Sequence, residues 1–138
     1  MRRLGLSNSN PYYLNEISTR AVRNFISTYR NASDPQWVKY RGGFVVYFHD
    51  DSIHCKVYYD KWGGHQTTIR QYSEKKLPHE IRHMVKSVYY DFSIYLIKEL
   101  TAYGRTWYEV SIEDKTSCKE IKIADGVMEV AKEFTKSK

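Results

Sequence analysis

The chain has 138 residues, with 22 lysines and arginines against 16 aspartates and glutamates, for a net charge of +6 at pH 7. That length suits one domain, and no apolar run approaches the roughly 20 residues needed to span a membrane, so a soluble chain with no membrane insertion is expected. The cations are scattered and form no block, and no nucleic-acid-binding motif occurs, which predicts a solvated basic surface and no nucleic-acid partner. Thirteen tyrosines favour a sheet with one half-wet face, because the ring packs while the hydroxyl stays hydrated.

Residues 1–12, rich in Ser and Asn around Pro11, predict a flexible tail. Its basic start lacks the apolar core of about 7–15 residues that marks a secretory signal. A first helix is predicted over 13–30, where Leu14, Ile17, Ala21, Val22, Phe25 and Tyr29 recur at three- and four-residue spacing. Asn31 to Pro35 stops it. Strands near 36–41, 44–49, 53–60 and 66–72 follow, separated by Gly42-Gly43, Asp50-Asp51 and Gly63-Gly64. A second helix opens at Pro78, which suits a first turn where its missing N–H costs nothing. Its predicted inward stripe is Ile81, Met84, Val85, Val88 and Tyr89. Strands near 93–100, 105–113, 116–123 and 127–134 complete the chain.

The order helix, four strands therefore occurs twice, in repeats spanning 13–73 and 77–134. Identities such as Leu14/Leu77, Val22/Val85, Cys55/Cys118, Lys56/Lys119 and Gly63/Gly126 lie 63 residues apart. Side-chain direction in the strands instead fits an offset of 64, which brings Phe44, Val46, Phe48, Val57 and Tyr59 onto Tyr108, Val110, Ile112, Ile121 and Ile123. One insertion reconciles the two. Alternation then sends Phe44, Val46, Phe48, Ile53, Cys55, Val57 and Tyr59 to the helix side. Tyr47, His54, Lys56 and Tyr58 point away, as do Trp107, Glu109, Glu120 and Lys122. The expected fold is α+β: two tandem helix-plus-four-strand repeats in one antiparallel sheet, with the helices on one face in two layers and the other face open to water.

Several stretches carry a family resemblance: Pro35-Gln36-Trp37, Gly43 to Phe48, Val57 to Gly63, Leu77-Pro78, Tyr108-Glu109-Val110 and Ala124-Asp125-Gly126. Together the chain resembles the bacterial PepSY-like family of β-lactamase-inhibitor-like proteins over about residues 14–134, as a single PepSY-like domain. The resemblance implies a continuous sheet of two repeats and export to the periplasm or beyond. It also points to the open sheet face, since that is the face by which β-lactamase inhibitor protein grips its enzyme.

His79-Glu80-Ile81-Arg82-His83 is a literal H-E-x-x-H, which on a helix can set two zinc-ligating histidines on one face with the glutamate as general base. Pro78 puts the motif in a first turn, Arg82 sets a cation beside the metal position, and the apolar stripe leaves His79 and His83 on the wet side. Glu99, a third-ligand candidate by distance, falls on a predicted strand. A zinc-dependent hydrolase is thus the alternative, and no metal or other cofactor is assigned. Cys55 and Cys118 have opposite parity in one sheet, so two thiols and no disulfide are expected. His49, His54 and His65 read as solvated strand residues, and Asp50-Asp51 and Glu113-Asp114 as turn formers.

No nucleophile setting and no phosphate-cradling loop occurs, so a non-enzyme is expected. The reading is an exported binding module, an inhibitor or modulator of a cell-envelope enzyme such as a protease. It would dock a protein partner through Tyr47, Lys56, Tyr58, Trp107, Glu109 and Lys122. No feature argues for a small-ligand carrier.

Overall fold

The computed structural model describes residues 17–137. Its elements are α1 (Thr19–Thr28), β1 (Ser33–Tyr40), β2 (Gly43–Asp50), β3 (Ile53–Asp60), β4 (His65–Tyr72), a short 3₁₀ turn (Glu74–Lys76), α2 (His79–Val88), β5 (Ser93–Ala102), β6 (Arg105–Glu113), β7 (Ser117–Ala124) and β8 (Val127–Thr135). The eight strands lie in one sheet in sequence order, β1 to β8. The chain divides into two compact units, one ending at Ile69 and the other beginning at Arg70, inside β4.

In the first unit the Ser18 hydroxyl accepts the Ala21 N–H and caps α1, satisfying one of the donors a helix start leaves open. The predicted start at Tyr13 is corrected: Ile17 and Ser18 precede the helix, and residues 13–16, like the predicted tail, lie outside the described residues. Ala21, Val22 and Phe25 form the buried stripe as the spacing predicts. Phe25 sits edge-on to Trp37 at 5.6 Å and to Phe48 at 5.1 Å, and Trp37 stacks on Tyr59 at 5.8 Å. Beneath them Val46 and Val57 face each other across β2 and β3 with no exposure.

The second unit builds the same frame from aliphatic residues. Val85 of α2 is buried, as are Ile97, Val110, Ile112, Ile121 and Ile123 of the strands, all 2% exposed or less. Ile81 and Met84 are half-buried. Val88, expected in the inward stripe, is 57% exposed. It is the last residue of α2, where the Tyr89 N–H closes on the Val85 carbonyl and the chain turns away.

The duplication is exact in order and uneven in length. Ser18 and Pro78 are N-caps, and Phe25 and Val85 accept the closing N–H from Tyr29 and Tyr89. Trp37 and Ile97 stand opposite Val46 and Val110. Up to β1 and β5, equivalent residues are therefore 60 apart, and from β2 and β6 onward they are 64 apart, as in Val46↔Val57 and Val110↔Ile121. The four added residues lengthen the β5–β6 hairpin by two on each strand: β1–β2 closes at Tyr40↔Gly43, β5–β6 at Ala102↔Arg105. This replaces the single insertion inferred from the identities. The residues 63 apart are not equivalent; Cys55, opposite Phe48, corresponds to Lys119, opposite Ile112.

Two-residue turns with positive φ close two of the second unit's three hairpins, at Tyr103-Gly104 and Asp125-Gly126, the twist-matched hairpin geometry. Gly43 is different. A Cβ there would run into the Tyr59 carbonyl and the Asp60 backbone, at a φ of 154°.

Two outcomes test this packing by urea denaturation. Phe25→Ala should cost about 3–5 kcal/mol, as expected for a filled core site, whereas Val88→Ala should stay within about 0.5 kcal/mol. Gly43→Ala should cost more than about 3 kcal/mol because backbone must move. Gly126→Ala, with open space around it, should cost only about 1–2 kcal/mol for its φ.

Candidate functional site

The sheet face turned away from α1 carries the first unit's exposed aromatics. Tyr47, 42% exposed, stands directly opposite Lys56, whose Nζ lies 5.9 Å from the ring centroid. Tyr58 meets the Tyr40 ring edge-on at 5.6 Å. Between them Val45, flanked in register by Val38 and Tyr58, is only 3% exposed although it points to the open side. Rings and a valine thus form a contiguous apolar patch, continued by the exposed His49–His54 pair at 4.6 Å. Burial, then Tyr58 and Asp60, raises the Tyr40 phenol above its ordinary pKa. The sequence reading named Tyr47, Lys56 and Tyr58 but missed Tyr40 and Val38. Alternation carried one strand further, onto β1, finds both.

The open side of the second unit is chemically different. Lys98, Glu109, Lys122 and Glu129 stand opposite one another across β5, β6, β7 and β8, a row of alternating sign that stabilises neighbouring strands. The predicted residues Glu109 and Lys122 are therefore neighbours in a balanced charge row. Trp107 lies at the end of this face, half-buried. It lines a pocket of about 340 Å³ with Ala102, Tyr103, Arg105, Lys122 and Asp125. An Arg105–Asp125 ion pair holds one wall, and Ala102, 4% exposed, lies at the floor. The pocket exists because the β5–β6 hairpin carries its added residues.

His79, Glu80 and His83 are exposed on the first turn of α2. Arg82 reaches back to Glu74 at 2.7 Å. Glu99 accepts hydrogen bonds from Arg70 at 2.8 Å and the Tyr72 hydroxyl at 2.7 Å. Burial, then the bond to Glu99, pushes the Tyr72 phenol far above its ordinary range. Among the described residues no group of three or more His, Cys, Asp or Glu side chains is placed to hold a metal ion. Cys55 is buried and donates to the Ile53 carbonyl, Cys118 is half-buried, and neither forms a disulfide. No helix among the described residues is long and apolar enough to cross a membrane.

No protein-family model and no curated protein matches the sequence. Solved structures do share its fold. A BLIP-like protein from Bacteroides fragilis superposes with a TM-score of 0.66 at 16% identity, over 91% of this chain and 89% of its own. A DUF2874 family protein from Bacteroides ovatus gives a TM-score of 0.66 at 11% identity, over 94% and 89%. A third structure, from Bacteroides eggerthii and provisionally described as periplasmic, gives 0.64 at 10% identity, over 86% and 88%. At these identities the likeness establishes the fold: this chain has the BLIP-like α+β arrangement of two helices and an open antiparallel sheet.

One exposed histidine is also tied into a pair of hydroxyls. His65 is exposed, as expected of a solvated strand residue, and its Nε2 also lies 2.7 Å from the hydroxyl of buried Thr68, which bonds the Tyr29 hydroxyl at 2.7 Å. Burial lowers its pKa below the ordinary imidazole value. The neutral ring is therefore favoured in the fold, and the unfolded chain takes up the proton first as pH falls. Stability should be full above about pH 6.5 and decline below it. His65→Gln should flatten that decline in urea titrations run at successive pH values; an unchanged slope would show that other groups cause it.

Proposed function

We propose that this chain is a non-enzymatic binding module, exported to the cell envelope and akin to PepSY-like proteins, that docks a protein through its open sheet face. The observation that carries the reading is the Tyr40, Val45, Tyr47 and Tyr58 patch. Rigid rings bury large area at low entropic cost, and aromatic residues dominate interface hot spots. Contiguous apolar patches on a surface usually mark interaction sites. Lys56 over Tyr47 supplies a cation at its border. In the second unit the pocket beside Trp107 and Lys122 offers a recess for one anchoring side chain, with Glu109 at its margin. The target would be an envelope enzyme such as a protease, blocked sterically. Export draws support from the structure provisionally described as periplasmic.

The test is capture from a bacterial envelope fraction, followed by titration of the captured protein. Tyr58→Ala and Trp107→Ala are made separately, with circular dichroism confirming the fold. Loss of a hot-spot ring should weaken binding by tenfold or more, the equivalent of about 1.4 kcal/mol or more. Undiminished capture by both variants would place the docking surface elsewhere.

A further inference from the structure

Among the described residues β8 ends the strand order and pairs with β7 alone. Its outer edge therefore presents a row of backbone N–H and C=O groups that can accept another strand. Val127, Val130 and Phe134 on this strand are 64%, 42% and 56% exposed. Proteins usually guard such edges with proline, short length or distortion. β1 contains Pro35 and a positive φ at Asp34. β8 runs for nine residues without proline, and its guards are a bulge at Ala131 and the charges of Glu129, Lys132 and Glu133, which a pairing strand would have to match.

The strand is also complementary to itself. Its register against β7 slips between Glu120 and Ile121, leaving Ala131 as the extra residue. Before the slip Val127 and Glu129 stand opposite Ala124 and Lys122; after it Lys132 and Phe134 stand opposite Glu120 and Cys118. Residues 118, 120, 122 and 124 share one face by alternation, so Val127, Glu129, Lys132 and Phe134 share it as well. A two-fold axis between Val130 and Ala131 then brings Val127 against Phe134 of a second copy, and Glu129 against Lys132. Symmetry makes each pair twice. Without the slip, these partners would lie on opposite faces.

We infer that β8 is a self-association edge, through which two copies of the chain pair antiparallel about that axis. Backbone hydrogen bonds supply the attraction, and the Val127–Phe134 and Glu129–Lys132 pairs set the register. Lys132, with a side chain 64% exposed and its Glu120 partner at 3.8 Å, is available for the second contact. Nothing in this inference depends on the open-face patch of the first unit.

Sedimentation velocity of the full chain over a dilution series tests it. The 16.4 kDa monomer should give way to a species of twice that mass as concentration rises. Glu129→Lys, which sets two lysines against each other, should raise the dimer dissociation constant tenfold or more, to about the extent like charges oppose association. The exchange Glu129→Lys with Lys132→Glu should restore the dimer, with circular dichroism confirming the fold of each variant. A monomer at every concentration overturns the inference and leaves the edge to an extended segment of another protein. A dimer indifferent to Glu129→Lys, or one that the exchange fails to restore, overturns it as well.

Discussion

Two cross-strand pairs, Val46 with Val57 and Val110 with Ile121, hold the remainder of each unit in place, and all four residues are fully buried. A slip of one residue at either pair would turn every neighbour to the opposite face. Tyr47, Lys56 and Tyr58 would then be driven under α1, and Phe44, Phe48 and Tyr59 into water. Desolvating a lysine while exposing aromatic area is costly on both counts. Register is therefore decided by burial. The helices follow, because only one face of each strand set is apolar enough to cover them.

Within that shared frame the units use different side chains at equivalent positions. Phe25, Trp37, Phe48 and Tyr59 in the first become Val85, Ile97, Ile112 and Ile123 in the second. Aromatic packing brings hydroxyls with it, and buried hydroxyls need partners. Tyr59 donates to the Asn24 side chain at 2.7 Å, and Tyr29 shares the Thr68 hydroxyl with His65. The aliphatic core of the second unit carries no such demand, and its buried polar chemistry is gathered at Glu99, bonded by Arg70 and Tyr72. A histidine that titrates with folding is thus a consequence of the aromatic core.

The outward faces diverge in the same way. The first unit shows rings around Val45, the second a row of paired charges ending at the Trp107 pocket. Paired charges mostly satisfy one another and offer little net attraction to a partner. Exposed ring area, such as that of Tyr47, can still be covered by a partner. The proposed docking therefore rests mainly on the aromatic patch, with the pocket beside the lengthened β5–β6 hairpin as a second, separate recess. H-E-x-x-H has no comparable setting, since its residues are exposed on a first turn with Arg82 tied to Glu74.

Much of this was legible in the sequence because alternation and helical spacing are local properties. They located the strands, the stripe of α1, the parity of Cys55 and Cys118, and the outward direction of Tyr47, Lys56, Tyr58 and Trp107. What they could not decide depends on residues distant in the chain. The identities 63 apart suggested one insertion, whereas pairing across strands places four residues in a hairpin, because hydrogen-bond register leaves no trace in a single strand. Val88 has the right spacing for burial, but exposure depends on what lies over it. His65 is exposed as read, but its bond to Thr68, and through it to Tyr29, cannot be seen in local spacing. The charge row and the self-matching edge of β8 likewise arise only when neighbouring strands set which residues stand opposite. Local periodicity determined the elements and their faces, and tertiary register decided which side chains meet.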